Sequence, residues 1–424
     1  MRLWMRMKPI RIRLLLLLAV IGPGIITANV DNDAGGITTY SVSGAHFGNS
    51  LLWMLPLVAA ALILVQEMSA RLGVATGKGL ADLIRESLGL RATAAIIGIV
   101  VFANLANTVS EFAGVAASME IFGVTKFLSV PLAAVAVWLL IVKANYKIVE
   151  RVFLIASAIY LAYVASGILA HPNWGKVATD FVSPSFRFEL GYITIFVTTI
   201  GTTIAPWMQF YQQASIVDKG LKPADYGYER IDVIVGSLFA VVVAGFIIIA
   251  CSSTIFAAGK QIETAKDAAL ALAPLAGRYA STLFAFGLLN ASVFSAAILP
   301  LSTAYVVCEA FGWESGVDKS FAQAPIFFGT YTALIVLGAA IILLPIQSLV
   351  QAMMASQTLN GVVLPIILIV MLRLINDKRL MGKFVNGRLL NIVSWLMVGI
   401  LIFLTLVLIG LTVMGWLGIA VPGM

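Results

Sequence analysis

The sequence predicts an all-α polytopic membrane protein, with about eleven membrane-spanning helices arranged as two inverted five-helix repeats. Its composition predicts the membrane class. Hydrophobic residues make up 61% of the 424 residues, charged residues only 11%, and the mean hydropathy is +1.01, as in chains that lie in lipid. The repeats are predicted because the first and sixth apolar stretches are both interrupted by polar, helix-breaking residues. Paired interruptions of this kind are typical of inverted-repeat transporters.

The apolar stretches are long enough to cross a bilayer, since one helical span needs about 20 mostly apolar residues. They predict a single transmembrane domain over residues 1–424, with a first inverted repeat at 11–171, a second at 189–374 and an additional helix at 390–417. The predicted spans are 11–43 (broken), 48–72, 93–123, 127–143, 149–170, 189–217 (broken), 231–254, 278–311, 325–345, 348–374 and 390–417.

Lys and Arg in the short loops predict the orientation, because cytoplasmic loops carry an excess of them. Under an eleven-span count, the basic segments that fall on one side are Arg2–Arg13, Arg71–Arg91, Lys143–Arg151, Lys219–Arg230 and Arg373–Arg388. We therefore expect a bacterial plasma-membrane protein with its N-terminus in the cytoplasm and its C-terminus outside. This bias accounts for the net charge of +7, so nucleic-acid binding is not expected.

The N-terminal apolar run continues beyond signal-peptide length without a small-residue cleavage pattern, which favours a first span over a signal peptide. Cys251 and Cys308 both lie in predicted spans. They indicate neither a disulfide framework nor a thiolate metal site.

The first span is interrupted by Asn29-Val30-Asp31-Asn32-Asp33-Ala34-Gly35-Gly36. A charge at bilayer depth costs roughly 2.5–3.5 kcal/mol even on lenient insertion scales, so carboxylates persist there mainly where they face a cavity or an ion path. The two glycines are expected to weaken the helix around the carboxylates. Broken helices of this kind build the central sites of secondary transporters, which predicts a cation transporter.

The sixth span is interrupted by the segment Thr199–Trp207. Pro206 cannot donate to the helical hydrogen-bond ladder, and Gly201 costs about 1 kcal/mol in a helix interior. This span is therefore also predicted to split into two half-helices.

Three ordered sets of motifs resemble those of a known family. The first helix has Gly22-Pro23-Gly24, an eight-residue spacer and Asp33-Ala34-Gly35-Gly36. The second has Phe47-Gly48, Leu51-Leu52-Trp53, Gln66, Ala70-Arg71-Leu72-Gly73 and Thr76-Gly77-Lys78, and the tenth has Ser356-Gln357, Leu364-Pro365, Leu372-Arg373 and Asp377–Gly382. Together they resemble the Nramp divalent-metal transporters. The ion-site replacements described below are most similar to the magnesium-transporting branch of that family. The resemblance implies the LeuT-type fold of two inverted five-helix repeats, with no cofactor.

The resemblance also implies an ion site, formed by the Asp and Asn of the first break, the Met of a sixth-helix Met-Pro-His motif and backbone carbonyls at both breaks. The corresponding metal-site positions here are Asp33, Gly36, Val30, Thr202, Ala205 and Gln357. Gly36 replaces the Asn and Ala205 replaces the Met. Val30 and Thr202 stand at the carbonyl positions, and Gln357 matches a tenth-helix Gln that can approach the ion.

These replacements favour a hard cation. A thioether is a soft ligand, whereas carboxylate, carbonyl, amide and water suit Mg²⁺ and Mn²⁺. Small residues at two ligand positions leave space, and Mg²⁺ usually keeps several waters beside one or two carboxylates. A wide, oxygen-lined cavity around Asp33 therefore suits largely hydrated Mg²⁺. Mn²⁺ is expected to pass as well.

The same positions favour transport without protons. Trp207 stands where the family has a titratable His, and it cannot titrate. His46 and His171 are expected to be wet surface groups. An inside-negative potential supplies about 2.3 kcal/mol per unit charge per 100 mV, enough to drive a divalent cation inward.

Three acidic residues remain candidates for the pathway or for coupling. Glu111 faces the pathway or makes a structural hydrogen bond. Glu67 is a gate or a packing partner of Arg71. Asp31 lies in an outer vestibule or supports the site of Asp33.

Other functions stay open at this point. One is a proton-coupled Mn²⁺/Fe²⁺ transporter of the same family; another is an amino-acid or organic-cation carrier on the same fold. A membrane receptor or scaffold is disfavoured because the loops are short. The sequence has no phosphate-binding loop, nucleophile elbow or His-Glu metal motif, so no enzyme is expected. The expected partners are Mg²⁺, Mn²⁺ and the lipid bilayer, with no obligate protein partner.

Overall fold

The structure, a computed structural model, describes residues 30–143, 157–417 and 419. Within these residues all regular structure is helical. The longer helices are α1 (Ala34–Phe47), α2 (Met54–Thr76), α3 (Leu80–Ile121), α4 (Lys126–Lys143), α5 (Leu161–Leu169), α6 (Trp174–Val182), α7 (Leu190–Thr203), α8 (Pro206–Asp218), α9 (Tyr226–Cys251), α10 (Ala280–Phe311), α11 (Pro325–Leu343), α12 (Leu349–Asn376) and α13 (Arg388–Trp416). Short helical turns are Ser157–Tyr160, Ser252–Phe256, Ala265–Ala268, Ala269–Leu272, Ala273–Ala276, Gly277–Tyr279, Lys378–Met381 and Gly382–Phe384.

In this part of the chain, nine helices are long and apolar enough to cross a membrane, with α7 and α8 counted as one and the short turns before α10 counted with it. This agrees with the predicted polytopic class. The first and fifth predicted spans are described only in their later parts. The Gly22-Pro23-Gly24 motif, the N-terminal basic segment and the loop with Lys147 and Arg151 lie outside the described residues.

The third helix differs from its predicted span. It begins at Leu80 instead of residue 93, but the backbone is not helical at Gly89, which has a φ of +76°, so two helical segments meet there at a kink. The predicted start lies in the second segment. The extra segment carries Asp82, Arg85 and Glu86. These charges lower the hydropathy of any long window, so an apolar-run criterion leaves out the helical segment before Gly89.

Both predicted helix breaks are present, but they are shorter than expected. Val30 and Asp31 are helical, Asn32 and Asp33 leave the helix, and α1 starts at the next residue. The second break is Ile204 and Ala205, with the following proline at the first position of α8, where proline is favoured because no amide donor is needed there.

The glycines near the breaks do not open the helices, which corrects the expectation from sequence. Gly35 and Gly36 lie in the first turn of α1, and Gly201 lies inside α7. A Cβ on Gly201 would collide with the backbone of α12 at Gln357 and Gly361. These glycines therefore allow close packing around the breaks.

The basic loops after α2, α8 and α12 meet on one face, which we call the inner face. Arg71 pairs with Glu67 (Nη2–Oε2, 3.1 Å) and donates to the Phe384 carbonyl (3.0 Å), and Gln213 donates to the Lys78 carbonyl (2.8 Å). The three basic loops lie on one face of the protein, as the predicted excess of Lys and Arg on one side of the membrane requires. Which side of the membrane it faces remains a prediction.

Candidate functional site

Asp33 occupies the N-terminus of α1, where the first break ends. Its Oδ1 accepts a hydrogen bond from the Gly36 amide (2.6 Å), and it caps the helix. Glu111 of α3 reaches the same end, with its Oε2 accepting from the Ala34 amide (3.3 Å). Unpaired amides and the positive end of the helix dipole favour negative groups here. One helix end thus holds two buried carboxyl groups at bilayer depth.

The carboxyl groups of Asp33 and Glu111 also lie against each other. A carboxylate has only acceptor oxygens, so a hydrogen bond between two carboxyl groups needs one proton. The other Glu111 oxygen, Oε1, is buried without a partner among the described residues. The pair can hold a proton when no cation is present, and a divalent cation can replace it.

Gln357 lies against Asp33, but it presents its nitrogen. Its Nε2 is 3.5 Å from Asp33 Oδ2, while its Oε1 accepts from Asn360 Nδ2 (2.8 Å). The amide orientation follows from this network. In this arrangement Gln357 orients Asp33, and its oxygen becomes available to a cation only after the amide turns over. Asn360 is itself held by Asn107 of α3, because the two amides donate to each other in two hydrogen bonds of 3.0 Å.

The second break lies next to the first. A Cβ on Gly36 would be 3.2 Å from Thr202 Oγ1 and would collide with the Asp31 carbonyl oxygen. Tyr40 and Thr203 join α1 to α7 through their hydroxyl groups (2.8 Å). The space left by Gly36 is therefore already occupied by the main chain of Asp31, and the cavity is narrower at this point than the sequence suggested.

Ala205 and Trp207 flank Pro206 at the start of α8, and both are 2% exposed. With its amide nitrogen facing inward, Gln209 donates to the carbonyls of Ala205 (2.9 Å) and Pro206 (2.7 Å). The Trp207 carbonyl accepts from Ser302 (3.3 Å). Neither side chain brings a titratable group or a sulfur atom to the break.

The remaining candidate residues separate into two places. Val30 and Asp31 are buried directly before the first break. Glu67 lies toward the inner face, where it pairs with Arg71 and accepts a hydrogen bond from the hydroxyl of Tyr226. The structure does not bring Glu67 to Asp33.

Two buried polar residues that hold Gln357 did not emerge from the sequence. Asn360 donates to Gln357 Oε1 (2.8 Å), and Asn107 in turn pairs with Asn360. Their signal in the sequence is their polarity within otherwise apolar spans, since polar groups in a membrane interior need partners.

The polar atoms around Asp33 are mainly oxygens, with Gln357 presenting its nitrogen. The described residues hold no group of three or more His, Cys, Asp and Glu side chains suited to a metal ion. A thioether lies one turn away along α12, where Met353 Sδ accepts from Thr38 of α1 (3.5 Å). The oxygen groups that meet at the two breaks are the carboxyl groups of Asp33 and Glu111, the Asp31 main-chain carbonyl and the Thr202 hydroxyl.

A cavity of about 880 Å³ opens on the face opposite the basic loops. It lies between the ends of α1 and α3, the segment before α10 and the start of α12; its lining includes His46, Glu120, Lys126 and Glu263. His46 lines it as an exposed surface group, as expected from the sequence.

Comparison with known proteins gives consistent matches over most of the chain. The family model Nramp, natural resistance-associated macrophage protein-like, matches residues 24–411. The divalent metal cation transporter MntH of Ralstonia nicotianae is 28% identical over 407 residues, which cover 89% of this chain and 88% of the relative. A MntH of Pectobacterium carotovorum is 24% identical, over 92% and 94% of the two chains.

Solved structures show the same fold. The manganese transporter of Eremococcus coleocola, solved with an aromatic bis-isothiourea compound, has a TM-score of 0.80 and 23% identity, covering 97% of this chain and 90% of its own. Mhp1, a nucleobase-cation-symport-1 family transporter, has a TM-score of 0.58 and 15% identity, covering 92% and 91%. These likenesses confirm the predicted LeuT-type fold with broken helices 1 and 6. The chain belongs to the Nramp family.

Proposed function

We propose that this transporter carries Mg²⁺, and also Mn²⁺, into the cytoplasm by alternating access, with the ion largely hydrated and without obligatory proton movement. The inner face is then cytoplasmic, with the N-terminus inside and the C-terminus outside. The predicted repeats, 11–171 and 189–374, move against each other around the two breaks.

The observation that carries this proposal is the donor set around Asp33. The carboxylate lies beside Glu111, Gln357 and Thr202, while the sixth-helix Met position is Ala205. Oxygen donors without a thioether favour hard ions over Fe²⁺ or Cd²⁺. Retained water then completes the shell, as is usual for Mg²⁺.

Uncoupled transport is supported by Trp207, which gives α8 no titratable group at the break. The membrane potential alone is sufficient to drive a divalent cation inward. The metal-site roles of Val30 and Thr202 rest on the resemblance, and we propose that each takes part through its main-chain carbonyl. Ala205 contributes by leaving the Met position without a sulfur ligand.

A second candidate is proton-coupled Mn²⁺/Fe²⁺ transport, which one contact favours. The carboxyl groups of Asp33 and Glu111 touch each other, and a cation that binds Asp33 then displaces a shared proton. In that case Glu111 is the proton relay, in place of the titratable residue that is missing from α8 at Trp207.

Competition for Mn²⁺ uptake into protein-containing liposomes tests the ion preference. We expect Mg²⁺ in modest excess to inhibit Mn²⁺ uptake, whereas Cd²⁺ at the same concentration leaves it nearly unchanged, because the site has no soft ligand. Protein-free liposomes give the leak rate. Strong inhibition by Cd²⁺ with none by Mg²⁺ would contradict the proposal and favour the second candidate.

A further inference from the structure

Asp31 is a buried carboxylate that the arrangement around Asp33 leaves unexplained. It is 2% exposed, and neither of its side-chain oxygens has a hydrogen-bond partner among the described residues. An ionised group removed from water is strongly disfavoured unless an opposite charge compensates it. The side chain therefore needs either a proton or a cation nearby.

The surroundings of Asp31 place it at the ion site. Asp31 is the last helical residue before the first break, two residues before Asp33. Its main-chain carbonyl lies against Gly36, whose amide donates to Asp33 Oδ1 (2.6 Å). Asp31 and Asp33 therefore flank the same break.

The main chain explains why both carboxylates are held there. The Asp31 carbonyl lies so close to Gly36 that any Cβ on residue 36 would collide with it. Glycine in place of the family's Asn therefore removes one neutral ligand and at the same time admits the Asp31 segment. The polar groups beside it, Asn32 and the hydroxyl of Thr202, are also buried without side-chain partners in the described part of the chain.

We propose that Asp31 supplies a second carboxylate to the transported cation. Its carboxylate contacts the ion through the ion's own water shell. Asp31 and Asp33 together then match the charge of a divalent ion. Asn32 and Thr202 supply hydrogen-bonding groups to the retained waters, as a hydrated hard cation requires. The identity of the ion rests on the proposed function, but the role of Asp31 applies to any divalent cation that enters.

Asp31→Asn is the sharpest test, because it removes the charge and keeps the shape. Full-length protein in lipid nanodiscs is titrated with Mn²⁺, and Mg²⁺ is measured by competition. We expect the affinity for both ions to fall by at least about tenfold, equivalent to about 1.4 kcal/mol. Hexaamminecobalt(III), whose ligands do not exchange, mimics a hydrated ion; its competition with Mn²⁺ is expected to weaken as well.

The matched control is Glu309→Gln at the inner end of α10, which also removes one negative charge from a helix but lies away from the breaks. It is expected to leave Mn²⁺ affinity unchanged. Without metal, Asp31→Asn is expected to melt at the same or a higher temperature than the wild type, since it removes an unpaired buried carboxylate. Asp31→Ser is a second neutral variant and is expected to weaken binding equally.

Wild-type affinity in both folded variants would overturn the proposal and make Asp31 a structural or gating residue. A loss that occurs equally in Glu309→Gln would also overturn it, because the effect would then be general charge removal. If wild-type protein binds Mn²⁺ but not Mg²⁺, the proposed ion preference fails, while the Mn²⁺ titrations still decide the role of Asp31.

Discussion

Replacing Asp33 by asparagine is expected to reduce Mg²⁺ and Mn²⁺ transport to the leak of protein-free liposomes while the protein stays folded. Asparagine caps a helix about as well as aspartate, so the hydrogen bond from the Gly36 amide (2.6 Å) can persist. The variant loses the negative charge that holds the cation. Uptake of each ion into liposomes measures the effect.

Asp33→Ala removes the charge and the cap together. The lost cap is expected to cost about 1 kcal/mol of stability, so its melting temperature should fall below that of Asp33→Asn although both are inactive. Gel filtration and thermal melting in detergent distinguish inactivity from misfolding. Wild-type flux in either folded variant would show that Asp33 is not the principal ligand.

Ala205→Met is expected to move the selectivity from Mg²⁺ toward Mn²⁺ and Cd²⁺. It adds a soft thioether beside the second break, where Ala205 is buried at the start of α8, and soft ligands favour later transition metals. We expect the ratio of Cd²⁺ to Mg²⁺ uptake to rise by at least about tenfold, or about 1.4 kcal/mol of relative binding.

The control for bulk is Ala205→Leu, which fills a similar volume without sulfur. It is expected to slow all ions without favouring Cd²⁺. An equal shift in both variants would assign the effect to cavity size instead of ligand softness. Gly36→Asn is tested separately, because its Cβ would displace the Asp31 carbonyl and change more than one ligand at once.

Much of the architecture could be predicted from the sequence, because membrane spans depend on long apolar runs and broken spans on polar residues within them. Asp33 is recognisable as a carboxylate at bilayer depth. The first turns of α3 are not recognisable from the sequence, since Asp82, Arg85 and Glu86 make that segment resemble a loop. That segment is nevertheless anchored in the apolar core by Leu80, Leu83 and Ile84, a pattern too short for a long hydropathy window to detect.

The glycines show why site geometry is harder to predict. A glycine in a sequence weakens a helix in isolation, but Gly35, Gly36 and Gly201 remain helical because neighbouring chain segments need the space of a side chain. Sequence also cannot tell which end of an amide faces an ion. Gln357 turns its nitrogen to Asp33 because Asn360 takes its oxygen, and Asn360 is in turn fixed by Asn107.

The contact between Glu111 and Asp33 bears directly on coupling. From the sequence alone, Glu111 had two equal interpretations, a pathway residue or a structural hydrogen bond. It makes the structural bond to the Ala34 amide (3.3 Å) and also touches Asp33. The two interpretations are therefore compatible, and only transport measurements separate a resident proton from a transported one.

The most direct test of uncoupled Mg²⁺ transport records lumenal Mg²⁺ and lumenal pH together in liposomes with a clamped, inside-negative potential. Parallel vesicles carry Glu111→Gln. We predict that Mg²⁺ enters at a rate that increases with the potential while lumenal pH stays constant, in the wild type and the variant alike. Absence of Mg²⁺ entry in vesicles that take up Mn²⁺, or metal-dependent lumenal acidification that disappears in Glu111→Gln, would contradict it.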